Sequence, residues 1–545
     1  MATNNVVTEL SPEETGGYTH RQIVTILSGL MLGMFLGALD QTIVSTSIRT
    51  IADDLQGLSI QAWVTTAYLI TATITTPIYG KLGDLYGRKK LFMFSISVFV
   101  AGSVLCTFAG SMYQLAAFRA VQGLGAGGLF TLVLAIVGDI VSPRERAKYT
   151  GYFMAMFGTS SVLGPLIGGF FAGQDSILGV SGWRWVFLVN VPIGIGALFV
   201  VARTLHLHTT VRPDNIRIDW WGATALFVGL VPVLTVAEQG RDWGWTSAAS
   251  ITAYVVGAVG LVAFVAIEHA MGDAALIPLR LFRIRAAAVA IGASVLVGVA
   301  MFGGMMLIPL YMQIAKGASP TESGILMLPM VAGMMTASIL GGRFISRTGI
   351  VRPFPIAGTL LLTTGLLLLS FTSADTAMVW VSLSMFVLGV GLGSCMQPLL
   401  LIMQSAVPPT EIGVATSSAT FFRQIGGTLG VAVFLSILFG SVGGNIATAT
   451  AEESRTPAYQ QAVAAGDGVD ASVVAQVQDD SSIIDRMNPV IAHPFKVGFA
   501  ESMNTVFLMA AGVGGLAFLV MLLMPAVELR TLSAQQAAKA AAESI

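Results

Sequence analysis

The sequence is poor in charge. Asp, Glu, Lys and Arg make up 10% of its 545 residues, against 54% hydrophobic residues. Soluble globular chains carry about a quarter charged residues, so an ordinary water-facing surface is excluded. A mean hydropathy of +0.79 points to a polytopic membrane protein. Cysteine is scarcer still. Cys106 and Cys395 both fall inside apolar runs, which predicts free packed thiols and excludes a disulfide framework. The net charge of -1 offers no basic surface for nucleic acid. No Gly-x-x-x-x-Gly-Lys-[Ser/Thr] loop is present, so direct ATP hydrolysis has no sequence support. The five histidines, His20, His206, His208, His269 and His493, sit at or outside the ends of the apolar runs and form no catalytic constellation. No enzyme activity, cofactor or metal is therefore expected. The segment Met1 to Gln22 lacks the basic start of a cleaved leader, so the first apolar run is expected to remain as a membrane helix.

What the chain has is long apolar runs. At roughly 20 residues per crossing, fourteen are counted: 23–48, 61–80, 91–109, 112–140, 149–172, 185–203, 218–238, 250–269, 286–312, 323–342, 354–372, 377–403, 413–440 and 501–525. Basic residues concentrate on alternate connections, at Lys81 and Arg88 to Lys90, at Arg144, Arg146 and Lys148, and at Arg280, Arg283 and Arg285. The short connections between them hold Arg49, Arg184, Arg241 and Lys316. This asymmetry predicts that both termini face the cytoplasm.

The connection between spans 2 and 3, Gly80-Lys81-Leu82-Gly83-Asp84-Leu85-Tyr86-Gly87-Arg88-Lys89-Lys90, is more than a basic loop. Gly80 and Gly83 remove side chains where helix ends approach, and Asp84 suits the positive start of a neighbouring helix. The stretch closely resembles the signature loop of the major facilitator superfamily. That resemblance implies that Arg88 pairs with Asp139 at the same depth. Asp84 is expected to cap span 13 around Thr410 to Gly413.

Two charges lie inside spans. Asp40 in span 1 and Arg119 in span 4 each need a partner or a wet cavity, and Gln122 lies one helical turn from Arg119. Leu36 to Val44 resembles the first-helix motif of drug/proton antiporters, and Arg119-Ala-Val-Gln122-Gly123 matches the superfamily's helix 4 motif; the resemblance implies a proton-coupling role for Asp40, Arg119 and Gln122. In span 5, Ser160, Gly164 and Gly168 recur every fourth residue, with Pro165 and Gly169 beside them. This resembles the antiporter motif, with Ser160 in place of its first glycine. Spans 7 and 8 stand between two groups of six, as in the fourteen-helix drug/proton antiporter family. Gly342 to Gly349 is a degenerate copy of the hinge, with Ser346 replacing its acid.

The fold class expected is thus all-α and of the major facilitator type, with two six-helix bundles plus two inserted central helices. The expected divisions are a tail at 1–22, bundles at 23–203 and 286–525, an inserted segment at 204–285, and a tail at 526–545. The second bundle includes a long acidic external loop at 441–500, which an envelope partner could contact. The function implied is proton-coupled export of small amphipathic compounds from a bacterial cell by a monomer in the plasma membrane. Met301, Phe302, Met305, Met306 and Arg423 are candidates for the substrate cavity, because methionine adapts to varied cargo. A lipid or glycolipid exporter on the same fold, with membrane lipid as cargo, and a non-transporting scaffold are the alternatives.

Overall fold

The computed structural model describes residues 19–55, 61–205, 219–408, 411–464, 483–484, 487–527 and 529. Apolar runs become helices here because a backbone in hydrocarbon finds no water, and a helix satisfies its N–H and C=O groups within one segment. The first half consists of α1 (His20–Asp54), α2 (Gln61–Tyr86), α3 (Arg88–Thr107), α4 (Met112–Ile140), α5 (Pro143–Ala172), α6 (Trp185–Leu188) and α7 (Asn190–Thr204). A two-stranded hairpin, Ser176–Ile177 against Val180–Ser181, precedes α6. The inserted pair is α8 (Trp220–Trp243) and α9 (Ala248–Met271). The second half comprises α10 (Arg285–Ile314), α11 (Pro320–Leu326), α12 (Leu328–Thr348), α13 (Pro353–Leu369), α14 (Met378–Ser405), α15 (Ile412–Glu453), α16 (Pro457–Ala462) and α17 (Pro489–Leu522). Among the described residues, 11 helices are long and apolar enough to cross a membrane.

Three boundaries differ from the sequence reading. Span 6 is split at Val189, because Pro192 has no N–H to offer the Leu188 carbonyl. Pro329 splits span 10 at Met327 in the same way. The expected external loop 441–500 is shorter: α15 continues to Glu453 and α17 starts at Pro489. Falling hydropathy hid these extensions. They persist because they pack on each other, with Val442, Ile446 and Ala449 buried and Gly498 lying directly against Ile446. Asp467, Asp470, Asp479, Asp480 and Asp485 of that loop lie outside the described residues.

The two halves repeat one packing scheme. In the first, α4 packs on α2 and α3 while α1 packs on α5; in the second, α14 packs on α12 and α13 while α10 packs on α15. The halves meet along two seams, α2 on α15 and α5 on α12, which exchange under the same correspondence. Parallel repeats of this kind place an interface at the membrane midplane. The hairpin α8–α9 lies against α2 and α15, over the first seam. Trp220 and Trp221 are exposed at one end of α8, and Trp243 with Trp245 at the other.

Close approach in the first half depends on the glycine run of α4. A Cβ at Gly123 would stand 2.5 Å from the Tyr68 carbonyl of α2, and one at Gly125 would stand 2.6 Å from the Ser95 carbonyl of α3. Successive glycines thus serve two different neighbours. Gly125→Val is expected to lower the thermal unfolding midpoint in detergent, by overpacking worth about 1–3 kcal/mol. Gly169→Val should leave that midpoint near wild type, since a Cβ there meets nothing within 4 Å; equal losses in both variants would remove the packing account.

Candidate functional site

Four helices bring five polar side chains together in the first half. Asp40 comes from α1, Ser103 from α3, Arg119 and Gln122 from one face of α4, and Asn190 from the first position of α7. None is more than 1% exposed. Arg119 Nη1 donates to Asp40 Oδ2 at 2.6 Å and to Gln122 Oε1 at 2.6 Å. Gln122 Nε2 donates to Asp40 Oδ1 at 2.8 Å and to Ser103 Oγ at 2.6 Å. Asn190 Nδ2 donates to the same Asp40 oxygen at 2.7 Å and to Ser103 Oγ at 3.2 Å. Beneath the guanidinium lies the Tyr68 ring, 4.1 Å from its carbon, and Arg119 Nε donates to the Val64 carbonyl at 3.4 Å. A buried ion pair loses much to desolvation, and here several further donors offset that loss. The arrangement can hold a carboxylate charged, away from water, at a junction of α1, α3, α4 and α7.

The sequence reading named Asp40, Arg119 and Gln122, and the structure brings these three together. It did not name Asn190, Ser103 or Tyr68. Small polar residues are common in membrane helices, so they carry little signal. Asn190 had one: an amide in an apolar span two residues before Pro192.

A second cluster occupies the opposite end of α4. Arg88 Nη2 contacts Asp84 Oδ1 at 2.8 Å, its Nη1 contacts Asp139 Oδ1 at 3.0 Å, and it also donates to the Ala135 carbonyl. Arg88 is buried, and the two acid side chains are 10% and 18% exposed, so these pairs are not screened like surface ones. Asp84 reaches across the α2–α15 seam, where its Oδ2 accepts the Val414 N–H at 3.0 Å and Gly413 also donates to the carboxylate. A carboxylate at the start of α15 meets unpaired N–H groups and the positive end of the helix dipole. Thr410, the other end of the expected cap, lies outside the described residues. Gly80 makes the crossing possible, because a Cβ there would collide with Ser417 and lie 2.9 Å from the Gly413 carbonyl. Gly83 packs on Leu132, and Gly87 starts α3 with a φ of 94°. The sequence reading missed a further tie between the halves: buried Arg146 of α5 donates to Gln404 of α14, whose Nε2 donates to Thr416 of α15 at 2.7 Å.

The small-residue face of α5 lies on α1. Thr42 Oγ1 donates to the Ser160 carbonyl at 3.1 Å, Ser47 Oγ donates to the Gly168 carbonyl at 3.1 Å, and a Cβ on Gly164 would strike Thr42. Pro165 stands inside the continuous helix, with Gly169 facing open space. Of the expected cavity residues, Met301 is 5% exposed within the core and Phe302 covers Gly427 of α15. Met305 is partly buried against the same core, and Arg423 packs its backbone on Gly298 of α10. The Met306 side chain lies outside the described residues. A cavity of about 260 Å³ lies apart from them, lined by Thr71, Ile74, Thr75 and Ile78 of α2, Leu124 of α4, and Ala223, Thr224 and Phe227 of α8.

Residues 30–431 match the family model described as Major Facilitator Superfamily. The chain belongs to the major facilitator superfamily. It is 37% identical over 424 residues to the multidrug transporter protein MdtP of Bacillus subtilis (strain 168), covering 78% of this chain and 76% of that protein. It is 36% identical over 410 residues to multidrug resistance protein 3 of the same strain, covering 75% and 78%. The superfamily fold also appears in the likeness to the proton:xylose symporter XylE of E. coli, with a TM-score of 0.59 at 14% identity over 95% of this chain and 99% of that one. The chain is accordingly a multi-pass membrane transporter of that superfamily.

Removing the hinge charge tests the second cluster. Asp84→Asn should leave expression intact and lower efflux of ethidium from cells by about tenfold, since a charged hydrogen bond contributes about 1.5–3 kcal/mol. Wild-type efflux in that variant would dismiss the cap across the seam as a working contact.

Proposed function

We propose that this transporter is a proton-coupled antiporter that exports amphipathic or lipophilic compounds by alternating access, with Asp40 as its proton carrier. The observation that carries the reading is the sealed Asp40–Arg119 pair. A carboxylate and a guanidinium are costly in hydrocarbon, and such pairs mark proton and substrate paths in membrane proteins. Burial opposes the carboxylate charge while Arg119 favours it, so a change of conformation shifts the balance between the two forms. When water reaches the carboxylate from one side it takes up a proton; when the opposite side opens it gives the proton up. The cluster around Arg88 holds the other end of the bundle shut meanwhile, with Asp84 bound to α15. The relatives named as a multidrug transporter and a multidrug resistance protein support small, varied cargo.

The reading places fourteen crossings in the plasma membrane with both termini in the cytoplasm, on the charge asymmetry of the connections. Arg423, on the second half, stays a candidate for contact with cargo. A second reading, export of a lipid on the same fold, is favoured by the apolar cavity beside α8, whose Thr71 and Thr75 hydroxyls are spent on carbonyls of their own helix.

Asp40→Asn imitates the protonated state. In proteoliposomes with an imposed proton gradient, this variant should lose proton-driven ethidium transport severely while still binding a neutral substrate. Full proton-coupled export by Asp40→Asn would rule out Asp40 as the obligatory carrier.

A further inference from the structure

Asp40 is surrounded by donors. Its Oδ2 accepts from Arg119 and its Oδ1 from Gln122 and Asn190, a shell suited to an acceptor-only carboxylate. A carboxylic acid at the same place has one O–H to donate, and a buried donor without an acceptor is strongly disfavoured. Nearby acceptors are already engaged. Gln122 Oε1 takes the Arg119 N–H at 2.6 Å, and Ser103 Oγ takes N–H groups from Gln122 and Asn190. Two buried oxygens here have no hydrogen-bond partner among the described residues: the first is Tyr68 Oη, on the ring beneath Arg119, and the second is Asn190 Oδ1. It belongs to the same amide whose N–H already touches Asp40, on a side chain that is 0% exposed.

We propose that Asn190 is a positioning residue that reads the protonation state of Asp40, donating to the carboxylate and, after a half-turn of its amide, accepting from the acid. The terminal torsion of asparagine is broad and roughly two-fold, so the half-turn exchanges Oδ1 for Nδ2 with little other movement. It places a carbonyl where a donor stood, 2.7 Å from Asp40 Oδ1 and 3.2 Å from Ser103 Oγ. The Asp40 O–H and the Ser103 O–H can then both donate to it. The inference rests on the reading of Asp40 as proton carrier, and the chemical step is the transfer of one proton from a hydronium ion to Asp40 Oδ1, leaving a neutral water molecule behind. The carboxylate becomes neutral and Arg119 loses its anionic partner. As the tie between α1 and α4 weakens, the Asn190 bond keeps α1 in register with α7, so the acid stays aimed while the helices move. Each amide orientation leaves its outer atom without a partner, so neither state is locked. The titratable and charged groups that interact with Asp40 are Arg119 on α4, Tyr68 on α2 and Cys106 on α3. Asn190 carries no charge and answers to theirs.

The test is pH-difference infrared spectroscopy on the purified full-length protein, following the acid C=O stretch that Asp40→Asn abolishes. In Asn190→Leu, which keeps the branched outline of the side chain, the acid loses its acceptor. Its band is expected at higher wavenumber, and proton-driven ethidium transport should fall about tenfold. Asn190→Gln, which keeps the amide, should move both readouts back toward wild type. Ser103→Ala should shift the band the other way, because the turned Asn190 carbonyl then serves Asp40 alone. An Asp40 acid band at one wavenumber in wild type and Asn190→Leu overturns the proposal; if that variant does not fold, an unmoved band in Ser103→Ala does so. If Asp40→Asn abolishes no acid band, the proton-carrier reading itself fails and takes this inference with it.

Discussion

A charge in hydrocarbon must meet an opposite charge or enough dipoles, and α4 shows how this chain satisfies that condition twice. Arg119 lies near one end of the helix and Asp139 near the other, about 30 Å apart at the rise of an α-helix. Each has its counter-ion on a different helix, Asp40 on α1 and Arg88 on α3. The glycines between them bring α2 and α3 to backbone contact, so the two charge clusters are joined by a closely packed strut. Whatever opens one cluster must act through that strut or around it.

The second half repeats the geometry without the acid. Gly349 closes α12 with a φ of 74°, as Gly87 opens α3 with 94°, so the backbone turn of the hinge is present in both halves. Ser346 stands where Asp84 would be. The exchange has a physical consequence: the first seam is held by a carboxylate on a helix start, whereas the repeat has no acid to do the same for the second. Arg146 and Gln404 tie that end of the halves by another route.

Much of this was legible because rare residues in an apolar chain carry information. Asp40 and Arg119 stand out inside their spans, and the glycine spacing around Asp84 separates a hinge from an ordinary basic loop. The sequence also allowed the halves and the inserted α8–α9 pair to be placed. Asn190 and Ser103 were hidden, since their importance comes from contacts between helices distant in the chain, and a single asparagine says nothing of what faces it. The ends of α15 and α17 were hidden for a different reason. A hydropathy window measures preference for lipid, and these turns are held by each other.

The length of α15 has a mechanical meaning. Its 42 residues extend for about 63 Å, roughly twice the hydrocarbon thickness. Its start is bound to Asp84 at the seam, and its far end lies well beyond the apolar zone beside α17. Such a rod is a lever: each degree of tilt about the bound end carries the tip by about 1 Å. Glu453 at that tip is bonded to His493 of α17, so the two helices are tied together there, and a small adjustment at the hinge becomes a broad displacement of both helix ends.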